Sequence, residues 1–402
     1  MRGKRLSIGL RSLAIFAVIL LATSTWAATN WNEKVLYSFS GGDGARPIGL
    51  IFDAAGNLYG ATEYGGTYGY GTVFKLSPAA GGGWTEKVLH SFNRNGTDGA
   101  EPLAGLIRDD HGNLYGTTWG GGAGSNCGTG GCGTVFELSP TAGRGWTETV
   151  LHNFDNNGAD GVDSSAGLIF DAGGNLYGTT QLGGTYNNGT VFKVSPGEGG
   201  WTETVLYSFG SVNDGGTPIA GLMLDAVGNL YGTTWGGGTY YYGTAFEVTP
   251  TTGGGWTEQV LHNFGNGTDG RYLSAGLIFD AAGNLYGTTA AGGTYSYGGT
   301  AFELTPNGSG NWTEQVLYNF CPDWPNCADG YYPYAGLIFD AAGNLYGTTS
   351  YGGTGGGTVF ELTPAAGGGW TETVLLNFNG TDGAYPYAGL IFDAAGNLYG
   401  TT

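Results

Sequence analysis

The stretch LIFDAAGNLYGTT occupies residues 277–289 and returns letter for letter at 337–349 and 390–402. Looser copies begin at Leu50, Leu106, Leu168 and Leu222. A chain that repeats itself at a fixed period is an array of one supersecondary unit, so the period has to be read before domains are counted. The repeated aspartate falls at Asp53, Asp109, Asp171, Asp225, Asp280, Asp340 and Asp393, at spacings of 53 to 62 residues.

Four phrases recur in order: AGLIFD, NLYGTT, GTVFKLSP and WTEKVLHSF, each with close variants. Each is four to eight residues of β-branched, aromatic and aliphatic types between Gly, Asn, Asp, Ser or Pro, which reads as a strand. No segment after the N-terminus carries helical periodicity. Thr-Val-Phe and Val-Leu-Tyr are apolar on both sides, which suits sheets covered on both faces. Four antiparallel strands per unit, about seven times over, predict an all-β fold: a β-propeller of about seven four-stranded blades, six complete and the closing blade incomplete. A linear β-solenoid is the rival, though its coils are usually shorter. In FDAAGN the aspartate can cap its own turn and the glycine can take positive φ. The glycine of NLYGTT is expected to let a neighbouring blade approach. The tryptophan of WTE (Trp31, Trp84, Trp146, Trp201, Trp256, Trp312, Trp370) is expected as a wedge between blades, because an identical residue serves what every blade needs.

Composition agrees with this reading. There are 84 Gly, yet aromatics reach 14% and charged residues only 11%, the reverse of a disordered chain. The formal charge of −19 argues against nucleic acid and anionic membrane surfaces as partners. At the N-terminus Arg2, Lys4, Arg5 and Arg11 precede or flank an apolar run over 13–22, and Thr25 and Ala27 suit cleavage after Ala27. Residues 1–27 therefore read as a secretory signal peptide, with an uncleaved anchor as the other reading, and 29–402 as a single propeller domain. No later run is apolar enough to span a bilayer, so the expected product is a secreted or cell-surface protein, and a monomer. Four cysteines form two local pairs, Cys127/Cys132 and Cys321/Cys327, expected as disulfides in an exported chain. Loops this short gain little global stability from a bridge, so the expected role is to stiffen the loops that carry them.

These phrases resemble the GloVer-type tandem repeat of secreted bacterial proteins, GLxxDxxGNLYGTT…GGT…GTVF. The resemblance covers nearly everything after residue 29. It implies the repeat fold and export, and it assigns no activity.

Name the strands A to D, with A innermost. The A–B turn (DAAGN, DDHGN, DAGGN, DAVGN) and the C–D turn (SPAAGGGW, TPTTGGGW) barely vary. The B–C turn runs from EYGGTYGYG to WGGGAGSNCGTGGCG, and D–A from SGGDGARP to CPDWPNCADGYYPY. Both variable turns fall on one face, as do both cysteine pairs, and variation on one face of a repeat protein marks a binding surface. Aromatic rings among Gly and Ser make these loops adaptable binders that can stack on sugars. The candidate ligand-binding residues are Tyr68, Trp119, Tyr186, Trp235, Tyr240, Tyr241, Tyr242, Tyr295 and Tyr332. The expected partner is an extracellular polysaccharide or a cell-surface protein.

No catalytic residue is assigned. His90, His152 and His262 share one position in strand D and read as structural, and His111 reads as part of a drifted hairpin. G-x-S-x-G, H-E-x-x-H and P-loop motifs are absent. An extracellular carbohydrate-active or lactonase-like propeller enzyme is the alternative to a binding or scaffold module. No cofactor is expected. The one metal candidate is Ca²⁺ at DNNGADGVD, through Asp155, Asn157, Asp160 and Asp163.

The order of phrases makes one more expectation. Residues 31–39 read as a lone strand D, and 390–402 as A and B of a seventh unit. The closing blade is then defective: 31–39 either joins 397–402 in a parallel ladder or leaves B as an open edge. This pattern also suggests a fragment whose continuation begins with GGT…GTVF.

Overall fold

The computed structural model describes residues 31–402 apart from Arg144, Ser211, Val212 and Ser309. The expected signal peptide at 1–27 lies outside the described residues. The domain is all-β, with one short 3₁₀ turn at Gly128–Gly130. Blade 1 is a four-stranded antiparallel sheet in the order Ala45–Phe52, Leu58–Tyr64, Thr72–Pro78, Trp84–Ser91. The same order recurs over 107–153, 169–208, 223–263, 278–319 and 338–377. A seventh sheet has two strands, Ile391–Phe392 and Leu398–Tyr399. The result is a propeller of six complete blades and a partial seventh.

The A–B turn forms as its letters require. In the first copy the Asp53 carboxylate accepts from the Ala55 and Asn57 amides at 2.9 Å each and from the Asn57 side chain at 2.7 Å, while Gly56 sits at φ +78°. Burial pushes this carboxyl up, but those donors together with the Tyr59 hydroxyl outweigh it and hold Asp53 below its ordinary value. Asp109, Asp171, Asp280 and Asp393 repeat the arrangement.

The glycine of NLYGTT does something other than expected. It faces its own blade. Gly116 pairs across the ladder with Phe136, and a Cβ on Gly116 would lie 2.7 Å from that ring. The third-strand phenylalanine places the tip of its ring, Cζ and Cε1, over the glycine of the second strand, a known way of covering a bare strand position. Six copies do this, and all six phenylalanines, from Phe74 to Phe360, are at most 1% exposed.

The core lies between blades. Tyr115, Val135 and Leu151 of blade 2 pack with Leu168, Leu176, Phe192 and Val194 of blade 3. Two edge-on ring contacts recur at these junctions. The second-strand tyrosine meets the next blade's first-strand phenylalanine, as in Tyr115–Phe170 at 5.1 Å. The phenylalanine ending strand D meets the next blade's third strand, as in Phe154–Phe192 at 5.2 Å. The tryptophan of WTE is the expected wedge: Trp146, Trp201, Trp312 and Trp370 each pack on a tyrosine of the preceding blade.

Both cysteine pairs are disulfides, Cys127–Cys132 and Cys321–Cys327, with Cα atoms 5.2 and 4.3 Å apart. Burial gives them a role beside the expected stiffening of their loops. Cys132 is buried and belongs to the core between blades 2 and 3, with Cys127 packed against it only partly buried. It directly precedes the third strand Thr134–Pro140, separated from it by Gly133 alone, so that end of the loop is already inside. Cys321 and Cys327 are both buried as well. The half-cystines are therefore apolar anchors that tie a loop to the blade junction, and a cysteine sulfur packs there as a small hydrophobe.

Ring contacts of the same kind close the propeller. Tyr399 of the partial blade meets Phe52 of blade 1 at 5.0 Å, and Phe39 meets Phe74 at 4.8 Å. Residues 35–39 thus hold the place of strand D beside blade 1, yet among the described residues they join no ladder. Of the two closures anticipated, the open edge is the one observed.

Candidate functional site

The axis is marked by glycine. Blades splay outward, so the tightest approach between first strands lies innermost. Cβ atoms on Gly105, Gly167, Gly221, Gly276, Gly336 and Gly389 would each lie 2.9–3.9 Å from the preceding copy's glycine backbone. These are the glycines of AGL, and the axis is lined as the sequence implied.

Four residues before the axial glycine (three in blade 1), every copy holds a non-glycine residue in the left-handed region. These are Arg46, Glu101, Asp163, Thr217, Tyr272, Tyr332 and Tyr385, with φ between +56° and +64°. Such a conformation is costly for residues with a Cβ and persists where surroundings fix it. Here both backbone polar groups are used. The Glu101 amide donates to the Tyr70 carbonyl in the preceding B–C loop at 2.8 Å, and its carbonyl accepts from Trp119 at 3.0 Å. Asp163, Thr217, Tyr272 and Tyr332 are bonded the same way. Backbone is constant at this position and side chain is not.

The loops are locked by small ribbons as well. Asp-Gly in the D–A loop pairs with the glycines of the B–C loop, as in Gly99–Ala100 with Gly120–Gly121. Three further copies follow at Gly161–Val162, Gly215–Gly216 and Gly270–Arg271. Both variable loops therefore share one face.

Around this mouth the side chains divide into two arcs. One is aromatic. Trp235 stacks on Tyr272 at 4.9 Å with 21° between planes. From Tyr331, Tyr332, Tyr334 and Tyr351, ring contacts of 4.9–5.9 Å run on to Tyr385 and Tyr387. Trp324, in the loop closed by Cys321–Cys327, stacks on Tyr297 and meets Tyr331. The other arc is charged or polar. Arg46 binds Glu63 at 2.7 Å, Arg94 lies 3.8 Å from Glu101, and Thr217 and Asp163 follow. Burial pushes Asp163 up to about 6.

The sequence candidates sort accordingly. Trp119, Trp235 and Tyr332 stand at the mouth, and Tyr242 packs edge-on against Tyr272 at 5.5 Å. Tyr68, Tyr186, Tyr240, Tyr241 and Tyr295 are exposed on the outer B–C loops, away from these ring contacts among the described residues. The sequence reading passed over Tyr272, Arg46, Glu101 and Thr217, and took Asp163 only as a calcium candidate. Their signal was present: one fixed place between Asp-Gly and the AGL phrase that holds five different letters in seven copies.

Three of the four calcium candidates carry hydrogen bonds within their loops. Asp155 accepts from Ser125 and Asn126, and the Asn157 side chain accepts from the Ala159 and Asp160 amides. Asp160 bonds His152 at 3.0 Å and the Asp155 amide.

Asp160 belongs to a second repeated cluster, one that sequence reading did not assemble. At six junctions a strand-D His or Tyr bonds the Asp of the following Asp-Gly, facing the Glu of the next blade's WTE, whereas the seventh copy carries Leu376 in that place. The pairs are Tyr37–Asp43, His90–Asp98, His152–Asp160, Tyr207–Asp214, His262–Asp269 and Tyr318–Asp329. The glutamates are Glu86, Glu148, Glu203, Glu258, Glu314 and Glu372, each with a buried, unpartnered Oε1. Burial, then the nearby Asp98, raises Glu148 to about 7, against the pull of His90. The other five rise to about 7 or 8, by burial first. His152, Asp160 and Glu203 have one ligand atom each within 4.8 Å of one another. Tyrosine stands in for histidine in three of these six pairs, so the shared feature is a hydrogen-bond donor to Asp. His111 is exposed beside Asp109, 3.8 Å away.

The family model of the Gloeobacter/Verrucomicrobia repeat matches residues 25–226, 123–298 and 199–402. This chain belongs to that repeat family. No curated protein matches it. Among solved structures it is similar to a putative 6-phosphogluconolactonase from Bacteroides uniformis, at 12% identity over 81% of this chain and 83% of that one, with a TM-score of 0.49. It is also similar to an α-L-arabinanase from Penicillium chrysogenum, at 14% identity over 82% and 94%, with a TM-score of 0.46. PorZ, a surface component of the type-IX secretion system of Porphyromonas gingivalis, matches at 17% identity over 87% of this chain and 44% of its own, with a TM-score of 0.44. None of these likenesses carries a function across. No helix among the described residues is long and apolar enough to cross a membrane.

Proposed function

We propose that this repeat protein is an extracellular binding module whose axial mouth takes a polysaccharide. The observation that carries this is the ring of seven left-handed positions, with one backbone and changing side chains. Tyr272, Tyr332 and Tyr385 stand consecutively on one side, backed by Trp235, Tyr334 and Tyr387. Tyrosine and tryptophan offer a flat apolar face and a polar rim at small entropic cost, which is what a pyranose needs from its receptor. Glu101, Asp163 and Thr217 on the other side offer acceptors and a hydroxyl to sugar hydroxyls. The chain's negative charge favours a neutral glycan over an acidic one.

The two disulfides fit an oxidising compartment. The test is a glycan array on the purified domain, followed by calorimetry on each hit and a hydrolysis assay. Binding lost in Tyr332→Ala, with glycan left intact, supports the module. Turnover of the glycan would make the protein an enzyme instead, and a blank array would remove the polysaccharide.

A further inference from the structure

The loop that carries the chain from blade 5 into blade 6 is longer than its counterparts. The Asp of its Asp-Gly, Asp329, comes nine residues after Phe320, where the other copies take from four, as in Phe39 to Asp43, to six, as in Phe154 to Asp160. The added length carries the phrase CPDWPNC, residues 321–327, and both ends of that phrase are fixed. Cys321 and Cys327 are buried and bridged. The Cys321 amide donates to Asp329 at 3.1 Å. The Cys327 carbonyl accepts from Gly330 at 2.9 Å and from Gly353, in the B–C loop of blade 6, at 2.8 Å.

Trp324 stands at the middle of this clamped loop and is 55% exposed. It is not a lone ring. It stacks on Tyr297 of the blade 5 B–C loop, itself 54% exposed, at 5.3 Å with 29° between planes, and meets Tyr331 at 5.9 Å. Tyr331 stacks on Tyr351 at 5.5 Å and adjoins Tyr332 of the mouth at 4.9 Å. Rings therefore run without a break from the axial mouth out to the B–C loop of blade 5. A contiguous exposed patch marks an interaction surface, whereas scattered single rings do not. Tyr68, Tyr186 and Tyr241 are exposed as well, but among the described residues they stand outside these ring contacts.

The polar groups along the track suit a neutral sugar. Asp323 and Asn326 flank Trp324, and both are exposed. Neither CPDWPNCADGYYPY nor the two B–C loop phrases, AAGGTYSYGG and SYGGTGGG, holds a Lys or Arg. Arg271, on the adjoining ribbon, donates to the Ser296 carbonyl at 2.9 Å and lies over the Tyr242 and Tyr272 rings. Carboxylates without basic neighbours disfavour an acidic glycan. Aromatic side chains offer an apolar face with a polar rim. A pyranose whose hydroxyls are all equatorial presents only C–H bonds to such a face, and an axial hydroxyl would stand between them.

We propose that these rings extend the glycan site, with Trp324 as its outer subsite, and that the site takes several consecutive residues of a linear, β-linked, all-equatorial glycan of the cellulose, xylan or chitin type. This rests on the reading of the mouth as a glycan site and adds to it the sugar class and the chain length. The mouth holds one end of the bound stretch and Trp324 the other, so affinity grows with each added residue until the indole is covered.

The test is calorimetry on the purified protein with cellobiose to cellohexaose and the matching xylose and N-acetylglucosamine series. In at least one series the wild type should bind the hexamer at least about tenfold tighter than the shortest oligomer that binds. Trp324→Ala replaces an exposed side chain on a bridged loop. It should weaken hexamer binding about tenfold or more, the loss of one hot-spot aromatic, and the loss should fall away as the oligomer shortens. Tyr332→Ala should weaken every length. Wild-type affinity independent of length, a Trp324→Ala protein equal to wild type on the hexamer, or a loss in that variant equal at every length would each overturn the outer subsite and leave the mouth standing. Binding of some other glycan with none of the three series would overturn the sugar class. No binding of any glycan would remove the reading of the mouth together with this one.

Discussion

The blade junctions and the axial mouth are made by the same seven copies, and they differ in what the copies may change. At the junctions the chemistry is held. Phe covers Gly, Trp wedges a Tyr, and a donor meets an Asp facing a Glu, blade after blade. Where His changes to Tyr the hydrogen bond survives, and only beside the partial blade, at Leu376, is the donor lost. At the mouth the reverse holds. The backbone is left-handed in all seven copies and doubly bonded in five, while the side chain runs through Arg, Glu, Asp, Thr and Tyr. What every blade needs is copied, and what one ligand needs is not.

The largest effect should come from the junction core. Phe192→Ala removes a fully buried ring that covers Gly178 and packs on Phe154, and should cost about 3–5 kcal/mol in denaturant unfolding. Phe39→Ala at the closing seam should cost clearly less, because Phe39 is only half-buried. Equal losses would mean that the seam is as well packed as a complete junction.

His152→Ala comes next. It strips the donor from a buried Asp160, at about 1–3 kcal/mol. His152→Tyr should stay within about 0.5 kcal/mol of wild type, since Tyr207 and Tyr318 already fill the equivalent place. A tyrosine variant as damaged as the alanine one would point to a histidine-specific role, such as metal binding with Glu203.

The junction glutamates give a pH dependence. Their folded values, about 7 to 8, stand above the ordinary value of 4.5, so the folded state holds more protons between those limits. Their contribution is complete below about pH 4.5 and is lost as pH rises through 7–8. The turn aspartates act oppositely, being depressed below 3.8, and lose their contribution as pH falls through that region. Melting temperature should therefore peak near pH 5 and fall toward pH 8.5, and Glu203→Gln should flatten the fall. A melting temperature that rises from pH 5 to pH 8.5 would mean these glutamates ionise freely at the junctions.

Much of this was legible in the sequence because repetition averages out local ambiguity. Seven copies of LIFDAAGNLYGTT fix strand order, the Asp53-type turn and the wedge of Trp146. The glycine of NLYGTT was misplaced because a missing Cβ has no direction in sequence: it announces close approach but not by whom. The burial of Cys132 was not legible for a related reason, since the spacing of a cysteine pair shows that a bridge can form but not which end of it faces the core. Tyr272 and Glu101 escaped differently. A left-handed backbone at a non-glycine residue leaves no compositional mark, so a variable letter looks like an ordinary loop. The junction cluster joins His152, Asp160 and Glu203 across two blades, which no single phrase contains.

The smallest stability effects are expected at the mouth, and there function should be concentrated. The most direct measurement takes a glycan that binds the wild-type domain and compares two triple variants by calorimetry. One is Tyr272→Ala, Tyr332→Ala, Tyr385→Ala at the mouth. The other is Tyr68→Ala, Tyr186→Ala, Tyr241→Ala on the exposed outer loops. The mouth variant should lose binding by more than the ~1–3 kcal/mol expected of one hot-spot aromatic, with the outer-loop variant unchanged. Binding that survives at the mouth and disappears with the outer loops would contradict the assignment of the site.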